Sequence, residues 1–161
     1  MAQKEKQGSQ KGEETPSTAN TGCLEAYFIQ PNELLQEVNR LDQSGYFLED
    51  ISCVDIQEGF LLVYHFDHYE KPGRIAIRTL ISREDPRIDS ISGIYPGADW
   101  HERESFDFFG VRFDGHPHLI PLLLDPEREE PPPLLKEESD RSSLSDIYPE
   151  YASSDEDQPN E

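Results

Sequence analysis

Residues 59–81 read GFLLVYHFDHYEKPGRIAIRTLI, and this stretch decides the fold. Phe60, Leu62, Tyr64 and Phe66 alternate with Leu61, Val63, His65 and Asp67. After Pro72-Gly73, the residues Ile75, Ile77, Thr79 and Ile81 alternate with Arg74, Ala76, Arg78 and Leu80. A period of two sends successive side chains to opposite faces of a sheet, so two long strands follow with a turn between them. Upstream, residues 46–57 are rich in aromatic and β-branched side chains and meet Glu58-Gly59, which predicts a further strand joined as a hairpin. Residues 24–29 (LEAYFI) give a short first strand. Between Pro31-Asn32 and Gly45, the residues Leu34, Leu35, Val38 and Leu41 recur at helical spacing, predicting a helix over about 32–44. Residues 88–95 read as a shorter strand. Beyond Pro96-Gly97, Asp99 can cap a helix with Glu102 as its capping-box partner, and Gly110 suits the left-handed C′ position, so a second helix spans 99–109. The expected class is α+β: an antiparallel sheet of about four to five strands with two helices packed on one face.

The ends differ from this core. Residues 1–23 hold no apolar side chain between Ala2 and Ala19, so nothing there offsets the entropy of ordering, and they read as a disordered leader. They lack the apolar stretch of a secretory signal, and no run approaches the roughly 20 apolar residues that span a bilayer. Residues 125–161 carry 13 acidic against 3 basic residues and six of the 13 prolines, the composition of a solvated acidic tail. The domain is therefore expected over 24–124, flanked by disordered tails. A formal charge of −20, from 34 acidic and 14 basic residues, excludes electrostatic binding to nucleic acid or to an anionic membrane surface, because both need Lys and Arg against phosphate. Cys23 and Cys53 stand thirty positions apart, too few and too far for an iron–sulfur or structural zinc site, and Cys53 reads as a buried free thiol on a strand.

The densest chemistry lies in residues 100–119, WHERESFDFFGVRFDGHPHL. His101-Glu102 opens a zinc-protease pattern, but the second histidine would have to stand where Ser105 is. Glu102, Glu104 and Asp107 could pair as acid and base, yet their spacing implies no pocket. Trp100, Phe106, Phe108 and Phe109 spread around the helix, so some of its charges must become buried. Arg103 and Asp107, at i and i+4, can pair there. Arg103, with Glu102, Glu104 and Asp107 around it, is expected to satisfy a carboxylate kept from water. Aromatic and Arg anchors on one helix make a candidate protein interface. His116 and His118 could share one side of an extended segment, without a third metal ligand. His65 and His68 point to opposite faces. Residues 119–124, LIPLLL, either pack on their own core or cover a partner.

This run, preceded by Pro96-Gly97-Ala98-Asp99, resembles the signature of the 30 kDa subunit family of NADH-quinone oxidoreductase, the respiratory complex I. That signature reads approximately W-x-E-R-E-x-x-D-x-F-G-[IV]-x-F-x-G-H-P-x-L. Trp100, Glu102, Arg103, Glu104, Asp107, Phe109, Gly110, Val111, Phe113, Gly115, His116, Pro117 and Leu119 match it. The resemblance implies an α+β subunit of a membrane complex's peripheral arm, on the cytoplasmic side of the membrane and not inserted in it. Such a subunit is a non-catalytic scaffold that docks on the large quinone-site subunit beside a small Fe–S subunit. It implies no cofactor in this chain, with Fe–S clusters, FMN or Ni–Fe held only by partner subunits. Homologues in energy-converting [NiFe] hydrogenases and formate hydrogenlyase systems share the signature. Where complex I members usually continue with a basic stretch, this chain reads residues 119–124 and then Glu129-Glu130-Pro131-Pro132-Pro133-Leu134-Leu135-Lys136-Glu137. Leu135 stands where arginine is usual, which keeps the hydrogenase branch as the second reading and a stand-alone acidic adaptor as the third. Leu134, Leu135, Ile147, Tyr148 and Tyr151 are candidate anchors of the tail on a partner.

Overall fold

The computed structural model describes residues 23, 25–71 and 73–149. Leu24, Pro72, Tyr151, the leader over 1–22 and residues 150–161 lie outside the described residues. The chain runs β1 (Glu25–Phe28), a 3-10 turn at Pro31–Glu33, α1 (Leu34–Gln43), β2 (Phe47–Ile56), β3 (Gly59–Asp67), β4 (Ile75–Ile81) and β5 (Arg87–Asp89). There follow α2 (Ala98–Phe109), β6 (Arg112–Asp114), a 3-10 turn at Glu138–Asp140 and α3 (Leu144–Ile147).

The four-stranded sheet has the order β1-β4-β3-β2. The two strands with the clearest alternation, β3 and β4, sit at its centre, and β3 pairs antiparallel with β2 and β4. The α+β class holds, and one pairing corrects the antiparallel expectation: β1 lies parallel to β4. The cause is the crossover through α1, which carries the chain over one face from edge to edge. Strand β2 then runs the same way as β1, and so does β4 after two reversals. The expected strand over 88–95 is also shorter. Only Arg87–Asp89 is extended, paired in parallel with β6 apart from the main sheet, and residues 90–97 form the irregular approach to α2.

The alternating residues define two cores. Phe60, Leu62, Tyr64 and Phe66 of β3 and Ile75, Ile77 and Ile81 of β4 meet Leu34, Val38 and Leu41 of α1 and Ala98 of α2, so both long helices cover one face. Each large apolar side chain so buried is worth about 1.5–3 kcal/mol. On the other face Ala26, Ile56, Leu61, Val63 and Ala76 form a smaller cluster, against which Leu144 and Tyr148 pack.

That second cluster corrects the reading of residues after 124 as a disordered tail over their described part. Most are exposed, yet the chain is tied down: the Gln57 N–H donates to the Ser142 carbonyl at 3.0 Å and the Leu144 N–H to the Glu58 carboxylate at 2.9 Å. Tyr148 lies over the Arg78 guanidinium, 3.9 Å from ring centroid to Cζ, and Phe28 stands 5.8 Å from it. Composition did not reveal this, because a few contacts at fixed points order a strap that is otherwise polar.

The hairpin loop is Gln57-Glu58, one residue earlier than Glu58-Gly59, with Ile56 opposite Gly59. Gly59 has φ of +152°, and a Cβ there would lie 2.2 Å from the Ile81 carbonyl oxygen. Both a disfavoured backbone and a collision with a neighbouring strand forbid a side chain. Gly59→Ala should therefore cost about 1–3 kcal/mol or more in a denaturant melt. Gly93→Ala, which meets nothing within 4 Å, should stay within about 0.5 kcal/mol of the parent.

Candidate functional site

Helix α2 begins one residue earlier than the sequence suggests. The Ala98 N–H donates to the Tyr95 carbonyl at 2.9 Å, and Gly97 occupies the N-cap. Asp99 is thus inside the first turn, and the Asp99–Glu102 capping box does not form. At the other end Gly110, with φ of +77°, takes the left-handed position as expected.

Displaced from the cap, Glu102 points inward and is wholly buried. Its carboxylate accepts the Ile91 N–H at 2.7 Å and the Ser90 hydroxyl at 2.6 Å. Burial pushes its pKa up to about 7 against these two hydrogen bonds, and neighbouring Asp99 adds to the rise. Buried Tyr64 is also raised, first by burial and then by the Glu102 charge. The His116 ring, also fully enclosed, sets Nε2 3.9 Å from Glu102 and 3.4 Å from the Asp99 carbonyl. Its Nδ1 accepts the His118 N–H at 3.0 Å, so the neutral ring carries its proton on Nε2, facing α2. His118 itself is exposed, and the two imidazoles do not share one side.

The opposite flank of α2 holds the apolar run. The Arg103 guanidinium donates to the carbonyls of Ile120 at 3.0 Å and Pro121 at 2.9 Å, and stands 3.7 Å from the Asp99 carboxylate. Asp107 Oδ2 accepts the backbone N–H groups of Leu122, Leu123 and Leu124 at 2.9, 2.7 and 3.1 Å. The expected Arg103–Asp107 pair therefore gives way to a different division: Arg103 takes carbonyls and Asp107 takes amides of one segment. A loop without regular structure still needs its polar groups satisfied, and these two side chains do it. Residues 119–124 are thus pinned to their own molecule, yet Ile120 and Leu123 stay 43% and 68% exposed, and Trp100, one turn up the same flank, 65%. Further along, the Leu134 N–H donates to the Phe108 carbonyl at 3.1 Å, so the chain slings around the end of α2.

The three carboxylates singled out on α2 do not come together as an acid and base. Glu102 is buried, Asp107 holds three amides, and Glu104 is exposed on its own. Among the described residues no group of three or more His, Cys, Asp or Glu has the arrangement of a metal site. His65 and His68 lie apart: His65 Nδ1 is 3.7 Å from Asp50, and His68 packs edge-on to Tyr46. Cys53 is a free thiol, half-buried rather than buried.

With this geometry in view, comparison with known proteins is decisive. Residues 27–143 match the family described as respiratory-chain NADH dehydrogenase, 30 Kd subunit. The chain belongs to that family. It is 39% identical over 94 residues to the C-type subunit of NADH-quinone oxidoreductase from Roseiflexus sp. (strain RS-1), covering 56% of this chain and 53% of that protein. It is 33% identical over 121 residues to the C/D-type subunit of the Acinetobacter baylyi enzyme, covering 69% of this chain and 20% of that one. The chain spans about half the length of the C-type relatives it matches. Among solved structures, one from an archaeal respiratory membrane complex, the membrane-bound sulfane sulfur reductase, superposes with a TM-score of 0.63 at 25% identity, covering 84% of this chain and 82% of that one.

The 30 kDa family match runs on to residue 143, so it includes most of the strap that composition assigned to a tail. Within the strap's seat lies a residue that sequence reading missed. Asp55 of β2 is fully buried, 2.6 Å from Arg83 and 3.4 Å from Arg141, and accepts the Lys136 N–H at 2.9 Å. Burial alone would raise its carboxyl, but the Arg83 hydrogen bond, the Lys136 N–H and the two guanidinium charges outweigh that and hold it low. A lone acid in the apolar run of residues 51–56, ISCVDI, was the available signal.

Two outcomes test this geometry. Between its ordinary value of 4.5 and about 7, Glu102 stays protonated when folded but ionises when unfolded, so its contribution to stability falls as pH rises through that window. Glu102→Gln should remove this slope, which corresponds to a difference on the order of 3 kcal/mol between the ends of the window, read from denaturant melts of both proteins. Asp107→Ala should leave the sheet protected and speed amide exchange of Leu122, Leu123 and Leu124 by roughly tenfold or more.

Proposed function

We propose that the chain is a non-catalytic scaffold subunit of a membrane-associated, complex-I-like electron-transfer assembly of the NADH:quinone oxidoreductase type. In this reading it docks on the large quinone-site subunit and lies beside the small Fe–S subunit. The observation that carries this is the family match over 27–143 together with the relatives of C/D type, in which the matching domain is about a fifth of a longer chain. A domain joined to a D part in those relatives belongs next to such a part. The use of Glu102, Arg103 and Asp107 on backbone groups supports a scaffold rather than a catalyst.

On this reading FMN and Fe–S clusters belong to partner subunits and the chain binds none. Its attachment is peripheral, on the cytoplasmic side. No helix among the described residues is long and apolar enough to cross a membrane. The likeness to the sulfane sulfur reductase complex favours a second reading, an equivalent subunit of a related membrane-bound assembly such as an energy-converting hydrogenase.

Mild-detergent purification through a tag on this chain tests the proposal. Recovery of a D-type large subunit and a small Fe–S subunit with NADH:quinone activity is the expected result, with metal and flavin absent from the chain isolated from them. Recovery with a hydrogenase or sulfur-reducing subunit selects the second reading. A chain that comes down alone overturns both.

A further inference from the structure

We propose that the ridge formed by Trp100 on α2 and by Ile120 and Leu123 on the pinned segment is the surface that receives the D-type large subunit, and that the partner face is apolar with a Lys/Arg rim. This rests on the functional reading above and adds the surface and its chemistry.

Three observations converge on the ridge. First, of the large apolar side chains exposed among the described residues, Trp100, Ile120, Leu123, Leu134 and Leu135 lie on α2 or on the chain slung around it. Leu35, Tyr69 and Ile147 are scattered elsewhere. Exposure gathered on one helix and the segment slung around it, with an aromatic among it, is what interfaces concentrate.

Second, the ridge is rigid before it meets anything. Ile120 is held by its own carbonyl to Arg103, and Leu123 by its own amide to Asp107. The hydrogen bonds use the backbone and leave both side chains facing outward. Ordering a loop on binding subtracts from affinity, and here that ordering is complete in the free chain. If the segment merely filled its own core, Leu123 would not be 68% exposed.

Third, the surroundings select the occupant. Glu104 on α2 and Asp125, Glu127, Glu129 and Glu130 on the chain that continues from the ridge are exposed, against Arg128, which stands 3.4 Å from Glu130. A net charge of −20 opposes a second copy of the same chain in this position. A partner with basic residues around an apolar centre meets both the rim and the ridge.

The test compares tagged full-length variants in the tag purification described above. Leu123→Asp and Trp100→Ala should reduce recovery of the D-type subunit by at least about tenfold, while their melting temperatures stay with the parent. Tyr69→Ser, which removes an 87% exposed ring in the turn after β3, should leave recovery unchanged. Unchanged recovery with both ridge variants overturns the proposal, as does a loss confined to Tyr69→Ser. A parent chain that sediments as a dimer and becomes monomeric with Leu123→Asp makes a second copy the occupant and overturns it too. If the parent itself recovers no D-type subunit, the functional reading fails, and that is distinguishable from failure of the ridge alone.

Discussion

A carboxylate taken out of water has to be met where it lands, and Glu102 is met by the Ile91 amide and the Ser90 hydroxyl. An unmet buried acceptor costs about 1–3 kcal/mol, more when charged, so this contact admits only one placement of α2 against the segment that leads into it. The rest follows from that placement. The helix lies over the sheet with Ala98 in the core, His116 closes over the same carboxylate, and the opposite flank presents Arg103 and Asp107 to the residues beyond β6.

The charged side chains of α2 thus act as backbone for segments that have little of their own. Residues 90–97 and 119–124 contain no helix and no strand, and a polar loop against a protein surface needs partners for its amides and carbonyls. Glu102 serves the first and Arg103 with Asp107 the second. A helix so occupied has few polar groups left for a substrate, and it holds two irregular stretches in fixed form. That suits the scaffold reading proposed above.

Legibility followed the strength of the periodic signal. Alternation in β3 and β4 and the 3-4 spacing of Leu34, Val38 and Leu41 were readable because every second or third position repeats the same demand for burial. The parallel placement of β1 was not, since four residues carry little pattern and their direction depends on a crossover. The role of α2 was half legible: its scattered aromatics signalled buried charge, but Arg103 and Asp107, four apart, suggested pairing with each other, whereas their hydrogen-bond partners lie 15 to 18 positions away. Asp55 and the strap were hidden for a similar reason. Proline and acid dominate the composition after residue 124, and the few positions that dock, Lys136, Arg141, Leu144 and Tyr148, are spaced without a period.

Asp55 also sets an order of events during synthesis. The amide of Lys136 that it accepts is 81 positions downstream, and Arg141 comes later still. While the sheet is being made, only Arg83 is at hand to balance the charge. A nascent chain that has extruded all four main strands therefore still carries an incompletely matched acid at the end of its edge strand, and the second face of the sheet waits uncovered for Leu144 and Tyr148. Residues 136–148 act as a latch closed from the carboxyl side, and the sheet gains its second cover only once translation has passed them.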